Sequence, residues 1–371
     1  MSYFLKSRLV ATTLLAVVGV AHAQDSAVFD PQRGTWQLNY QDAETDKWIS
    51  KVYVQQNGIK PTISTVLIWG GQGFTYSYRV KNDRSAKQAI DTFRIWGVPT
   101  VYAIPNLPPI TSDAKQDMGL WTREQWAQLE VKRKFQDDTV KAPKGWSASL
   151  RVDAKVGQTS FVWTPGLKDT DPDGISPGKN QSGFDVIRPE LPGVARAKLT
   201  GSTKEPWGLD NLPNTAFWSQ KVDEIQSQDY LLVPVLAPII ELPKPYDGAE
   251  LARRVKLHVQ SWPKYGHLTQ DTLDRLNRQF DVLIPALQGA NKPAARQAAV
   301  ELLKEVFSHH PGLHHEKLGK DDDDKDAEAM TGIAGNLRVG LPVVVIPIDR
   351  VAARALAFNI VYLLTRMELG R

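Results

Sequence analysis

The sequence predicts an α+β protein built as an antiparallel β-sandwich, immunoglobulin-like in strand number and spacing, followed by a small C-terminal helical bundle. Three observations predict it. Between about residues 34 and 201 apolar residues alternate with polar ones at period two, the signature of strands with one buried and one wet face. From 202 to 246 proline and tryptophan appear without period. Beyond 247 the apolar positions recur at helical spacing, which marks amphipathic helices.

The elements follow in order. Lys6 and Arg8 form a basic head, Leu9 to Val20 an apolar run and Ala21-His22-Ala23 a small-x-small site before Gln24. This is how a secretory signal peptide is built, so residues 1–23 predict export to the periplasm, the cell surface or the exterior. The apolar run is too short to cross a bilayer as a helix, which needs about 20 residues, and no transmembrane segment is expected after it.

Residues 24–201 are predicted to be the sandwich. Phe74, Tyr76, Tyr78 and Val80 alternate with Thr75, Ser77 and Arg79 and end at Lys81-Asn82-Asp83, a strand running into a turn. Similar runs cover 36–40, 48–54, 63–69, 90–96, 146–152, 159–163, 183–188 and 194–200, at the spacing of a sandwich. Residues 120–135 break the alternation as a short helix or a long loop. Residues 202–246 read as a semi-rigid connector, because proline fixes φ and removes a donor.

A three-helix module is predicted for 247–313. Asp247 with Glu250 is a candidate capping box, and Ala252, Val255, Val259 and Trp262 fall on one stripe before Pro263 and Gly266. Leu273, Leu276, Phe280, Leu283 and Leu287 form a second stripe, with Pro285 as kink or stop; Asn291 and Pro293 open a third helix, proline being favoured at a first helical position. Residues 314–346 form an acidic loop. Asp349 caps a terminal helix within 347–371, too apolar to stand free and expected to dock on the bundle.

The function classes narrow by composition. The chain has 371 residues with 45 Lys+Arg and 41 Asp+Glu, a formal net charge of +4. Positive residues are scattered among acidic ones, without the basic stripe of a nucleic-acid binder. There is no cysteine, which excludes a thiol nucleophile and leaves packing to stabilise the fold. No Gly-x-Ser-x-Gly elbow occurs, and Gly70-Gly71-Gln72-Gly73 lacks the Lys-Ser/Thr of a phosphate loop, so it reads as a β-turn.

Two clusters are candidate metal sites. Asp169, Asp171 and Asp173 stand at alternate positions before Gly174, an oxygen-rich set suited to calcium. They resemble the start of the aspartate-rich calcium loops of EF-hand, dockerin and thrombospondin type 3 repeats, but the twelfth loop position is Asn180 and Pro172 restricts the turn. A plain polar hairpin accounts for the same residues. His309, His310, His314 and His315 flank Pro311-Gly312 and can ligate a transition metal; a solvated histidine-rich hinge is the competing reading. No motif calls for an organic cofactor. Trp36, Trp48, Trp69, Trp96, Trp146 and Trp163 fall in or beside strands, as core residues or, where two share an exposed face, as a sugar-binding platform.

The run Tyr76-x-Tyr78-x-Val80-x-Asn82, the hairpin Pro177-Gly178 to Gly183-Phe184 and Leu191-Pro192-Gly193 resemble exported bacterial β-sandwich proteins over roughly residues 60–201. Residues 249–310 are similar to the helical FIMAH modules at the ends of exported bacterial proteins, through their helix lengths and the Asn291-x-Pro293-Ala294-Ala295 opening. The resemblance implies an envelope or extracellular protein and carries over no catalytic residues. The expectation is a non-enzymatic binding or interaction protein whose partner is an envelope protein or a glycan. An exported metal-dependent hydrolase and a calcium-stabilised adhesive module are the alternatives.

Overall fold

The computed structural model describes residues 24–42, 45–70, 73–99, 138–153, 158–166, 174–203, 209, 212–310 and 348–368. The predicted signal segment, the 120–135 segment and the whole of the predicted acidic loop lie outside them. The chain divides into two compact units.

The first unit holds β1 (Ser26–Asp30), β2 (Thr35–Gln41), β3 (Trp48–Val54) and helix α1 (Ala216–Gln228) as far as Glu224. The strands form an antiparallel sheet in the order β1-β2-β3. Alternation on β2 buries Trp36, Leu38 and Tyr40. Trp218 of α1 meets Tyr40 edge-on at 5.9 Å, and its indole N–H donates to Asp25 at 3.0 Å. The sequence placed β2 and β3 among the sandwich strands, whereas they make a sheet of their own. Period two decides which face of a strand is buried, not which sheet the strand joins.

The second unit contains β4 (Pro61–Gly70), β5 (Gly73–Asn82), β6 (Ile90–Pro99), β7 (Val140–Lys141), β8 (Trp146–Asp153), β9 (Gln158–Pro165), β10 (Asn180–Arg188), β11 (Leu191–Gly201) and β12 (Leu231–Ile240). They build two antiparallel sheets, β4-β5-β10-β7 and β12-β11-β6-β9-β8. Aromatic side chains from both sheets share one core. Phe93 stacks on Trp163 at 4.8 Å, and Tyr78 and Phe184 meet Phe93 edge-on at 5.8 and 5.4 Å. Burying such a side chain stabilises the fold by roughly 1.5–3 kcal/mol.

One strand lies where the sequence predicts a connector. The 202–246 segment contains the whole of α1 and the whole of β12, despite Pro234 and Pro238. β12 is the edge of its sheet, pairing only with β11 among the described strands. An edge strand tolerates proline because half of its backbone donors face away from the ladder.

The helices are α2 (Gly248–Gln260), α3 (Gln270–Gln288), α4 (Lys292–His309) and α5 (Arg350–Glu368), with a 3₁₀ turn at Trp262–Tyr265. Asp247 caps α2 by accepting the amides of Ala249 and Glu250, while the Glu250 carboxylate takes Arg253 and Arg254. Thr269 caps α3, which runs on through Pro285, and Asn291 caps α4. Asp349 caps α5 through the Ala352 amide at 2.8 Å.

α5 does more than close a bundle. It packs on α2 and α4 and also on β11 and β12, so its alanine-rich surface is buried on nearly every side, from Ala352 through Leu363. Phe358 and Tyr362 meet Phe74 of β5 edge-on, each at 5.7 Å, and Arg354 donates to the Thr65 carbonyl of β4 at 2.9 Å. Helices and sandwich therefore share a single hydrophobic core.

The residues that carried the family resemblance turn out to be structural. Tyr76 and Tyr78 donate their hydroxyls to the carbonyls of Glu190 and Leu236 at 2.7 and 2.9 Å. Asn82 is fully buried; it donates to the carbonyls of Gln88 and Ile175 and accepts the Lys60 amide. Leu191-Pro192-Gly193 is the seat of the helices. Asn359 of α5 donates to the Pro192 carbonyl at 2.8 Å, and a Cβ on Gly193 would lie 2.5 Å from His258 Nε2 of α2.

Candidate functional site

The predicted clusters are placed as follows. Asp169, Asp171, Asp173, His314 and His315 lie outside the described residues. His309 Nε2 meets Glu305 at 3.3 Å, and Glu305 also accepts Arg275 at 2.6 Å. Burial opposes ionisation of Glu305, but the hydrogen bonds from Arg275 and His309 outweigh it and leave its pKa lowered. His310 donates Nε2–H to the Ile348 carbonyl at 2.8 Å. The two rings serve different partners. Among the described residues no group of three or more His, Asp or Glu is placed to hold a metal ion.

The tryptophans separate. Trp36, Trp146 and Trp163 are buried in their cores. Trp48, Trp69 and Trp96 are 43%, 48% and 47% exposed, but they belong to β3, β4 and β6, three different sheets. Trp69 is partly engaged by Tyr362 of α5 at 5.0 Å. The structure does not gather the six into one platform.

A different set of side chains is gathered. On β6, Phe93 and Ile95 point into the core, leaving Arg94 and Trp96 on the outer face; on β11, Ala195, Ala197 and Leu199 are buried and Arg196 and Lys198 face outward. The strands pair so that Trp96 opposes Arg196 and Arg94 opposes Lys198. Directly opposed residues on an antiparallel pair share a face, with side chains about 5 Å apart. The register with β9 slips between Ile95 and Val98, and such a bulge re-aims the side chain it carries. Trp96 sits in that slip.

Three cations of β6 and β11 lie over aromatic rings. Arg94 is 5.6 Å from the Trp96 ring centre, Arg196 is 4.7 Å from that of Tyr265, and Lys198 is 3.9 Å from that of Tyr230. Lys264 approaches Tyr265 at 5.8 Å. A guanidinium or ammonium over a ring is held by the quadrupole of that ring, which fixes long side chains that would otherwise wave freely. Burial holds the Lys198 pKa below its usual value; the Arg94 charge adds to this and Asp229 opposes it. The result is a strip of ordered cations and ring faces, with Trp96, Arg196, Lys264 and Tyr265 its exposed members.

This strip escaped the sequence reading. The alternation F-R-I-W at 93–96 and A-R-A-K-L at 195–199 put both cation pairs on outward positions of their strands. What joins them is the pairing of β6 with β11 across about a hundred residues of chain, which period alone does not encode.

No family model and no curated protein matches the chain. Among solved structures it is similar to one described as "Crystal structure of an uncharacterized protein from Nocardia farcinica reveals an immunoglobulin-like fold", at 17% identity over 39% of this chain and 86% of that one, with a TM-score of 0.23. Among the described residues no helix is long and apolar enough to cross a membrane.

Proposed function

We propose that the chain is a non-enzymatic binding module of the bacterial envelope or exterior, exported through residues 1–23, and that it holds its ligand on the outer face of the five-stranded sheet. In this reading the sandwich is an immunoglobulin-like carrier and α2 to α4 form a FIMAH-like module that braces it. The observation that carries the reading is the cross-strand pair of Trp96 with Arg196, both exposed and both on one face. An exposed indole beside a guanidinium fixed on a tyrosine offers a stacking surface and a donor fork together. Core packing needs neither of them there.

The test is a screen of the purified protein against an array of envelope polysaccharides and oligosaccharides, repeated with the Trp96→Ala/Arg196→Ala double variant. Retention by the parent protein and loss by the variant, with an unchanged melting temperature, supports the reading. Equal retention by both proteins overturns it.

A further inference from the structure

We infer that the ligand held on this strip is an anionic polysaccharide, a sugar chain bearing carboxylate or sulfate groups at intervals. The inference rests on the strip being the ligand face, and it adds the chemistry of what lies there.

The first argument is charge. Arg94 and Lys198 stand directly opposite one another on β6 and β11, and like charges so placed repel and weaken the pairing. Arg196 lies two residues from Lys198 on the same strand, about 7 Å away at strand rise, and Lys264 adds a fourth positive charge beside Tyr265. Asp229 opposes this at Lys198. An anion laid across the strip is attracted by Arg196, Lys198 and Lys264 together.

Spacing is the second argument. The cations are spread along and across a sheet face and do not converge on one point, so they suit several separated anionic groups better than a single phosphate. Exposed Trp96 and Tyr265 lie among them, and flat rings stack on the apolar C–H faces of sugars. A guanidinium held over a tyrosine ring can still offer N–H donors for bidentate contact with a carboxylate or sulfate. Single-stranded nucleic acid would also use cations and rings. The observations favour the glycan, because so few cations in a chain of net charge +4 give too few phosphate contacts for tight binding at physiological salt.

The experiment is titration calorimetry of the full-length protein with four probes: polygalacturonate for carboxylate, dextran sulfate for sulfate, unmodified dextran, and oligothymidylate. The variants are Trp96→Ala, Arg196→Ala and Lys198→Ala, with Trp48→Ala as an exposed tryptophan outside the strip. Polygalacturonate or dextran sulfate should bind, weaken as salt is raised, and lose roughly tenfold or more in affinity with each strip variant, while Trp48→Ala changes nothing. Which of the two binds more tightly identifies the anionic group. If unmodified dextran binds as well as they do and Trp96→Ala weakens it, the site stands and the anionic ligand is wrong. Tighter binding of oligothymidylate overturns the inference in favour of nucleic acid. Binding of no probe, or binding that no strip variant changes, overturns it as well, and in the second case the strip reading falls with it.

Discussion

His258 Nε2 accepts the backbone N–H of Val194 at 3.0 Å, so a histidine of α2 completes the hydrogen bonding of a sheet strand. To accept that bond the nitrogen must be unprotonated. The ring packs edge-on to Trp262 at 5.6 Å, and burial, with the neighbouring His267 adding to it, pushes the His258 pKa down to about 4. The unfolded chain therefore binds this proton more readily than the folded one between about pH 6.5 and 4. Stability contributed here is complete above pH 6.5 and is lost as the pH falls toward 4, by a few kcal/mol. Denaturant unfolding at pH 7 and pH 4.5 measures the difference. His258→Gln, which keeps an acceptor but cannot titrate, should flatten the pH dependence in that window; an equally steep profile would show that other groups carry it.

Asn359 is the one polar residue in the apolar stretch from Ala355 to Leu364, and its amide ties α5 to the Pro192 carbonyl. Asn359→Ala leaves that buried carbonyl without this donor and should cost about 1–3 kcal/mol. Asn359→Asp puts an acceptor and a charge where a donor is needed and should cost more. Chemical denaturation of the two variants against the parent gives both values, and a milder loss for Asp than for Ala contradicts the assignment.

These contacts explain what the sequence disclosed. Strand positions were legible because Phe74, Tyr76, Tyr78 and Val80 alternate with polar residues over a whole strand, and helix starts because Asp247, Asn291 and Asp349 are strong capping residues. The destination of each element was not. α5 reads as a helix too apolar for solvent, yet nothing in its own pattern distinguishes a bundle from the face of β11. β12 was hidden by Pro234 and Pro238, residues that exclude a central strand but not an edge one. The strip is invisible for the same reason, since Arg94 and Lys198 become neighbours only through strand pairing. The best-defined sequence motifs, Tyr76 to Asn82 and Leu191 to Gly193, report packing.

Gly174 gives a sharp test of backbone fit. It has φ of 107° and is followed by Ile175, which bridges Ile90 of β6 with hydrogen bonds in both directions. A Cβ at this glycine would lie 2.2 Å from the Ile90 carbonyl oxygen. Both the dihedral and the clash oppose any side chain. Gly174→Ala should lower the melting temperature by several degrees whether or not calcium is added, a result expected of strain and not of a lost ion site. A variant as stable as the parent would show that the bridge yields easily.

Arg188 and Glu190 form a two-pronged ion pair, both prongs 3.0 Å long, with both side chains buried. Burial raises the Glu190 pKa and lowers that of Arg188, and the charge of each partner works against the shift. Each side chain thus holds the other's charge in a buried corner. Glu190→Ala strands a guanidinium away from water and should cost about 3–5 kcal/mol, and Arg188→Ala should do the same to the carboxylate. Arg188→Met with Glu190→Leu removes both charges and refills the space, so the double variant should be clearly more stable than either alanine variant and close to the parent. Unfolding free energies of the three variants decide it. If the double variant loses as much as the two alanine variants combined, the pair contributes through its own attraction, and the desolvation account of this corner of the sandwich is wrong.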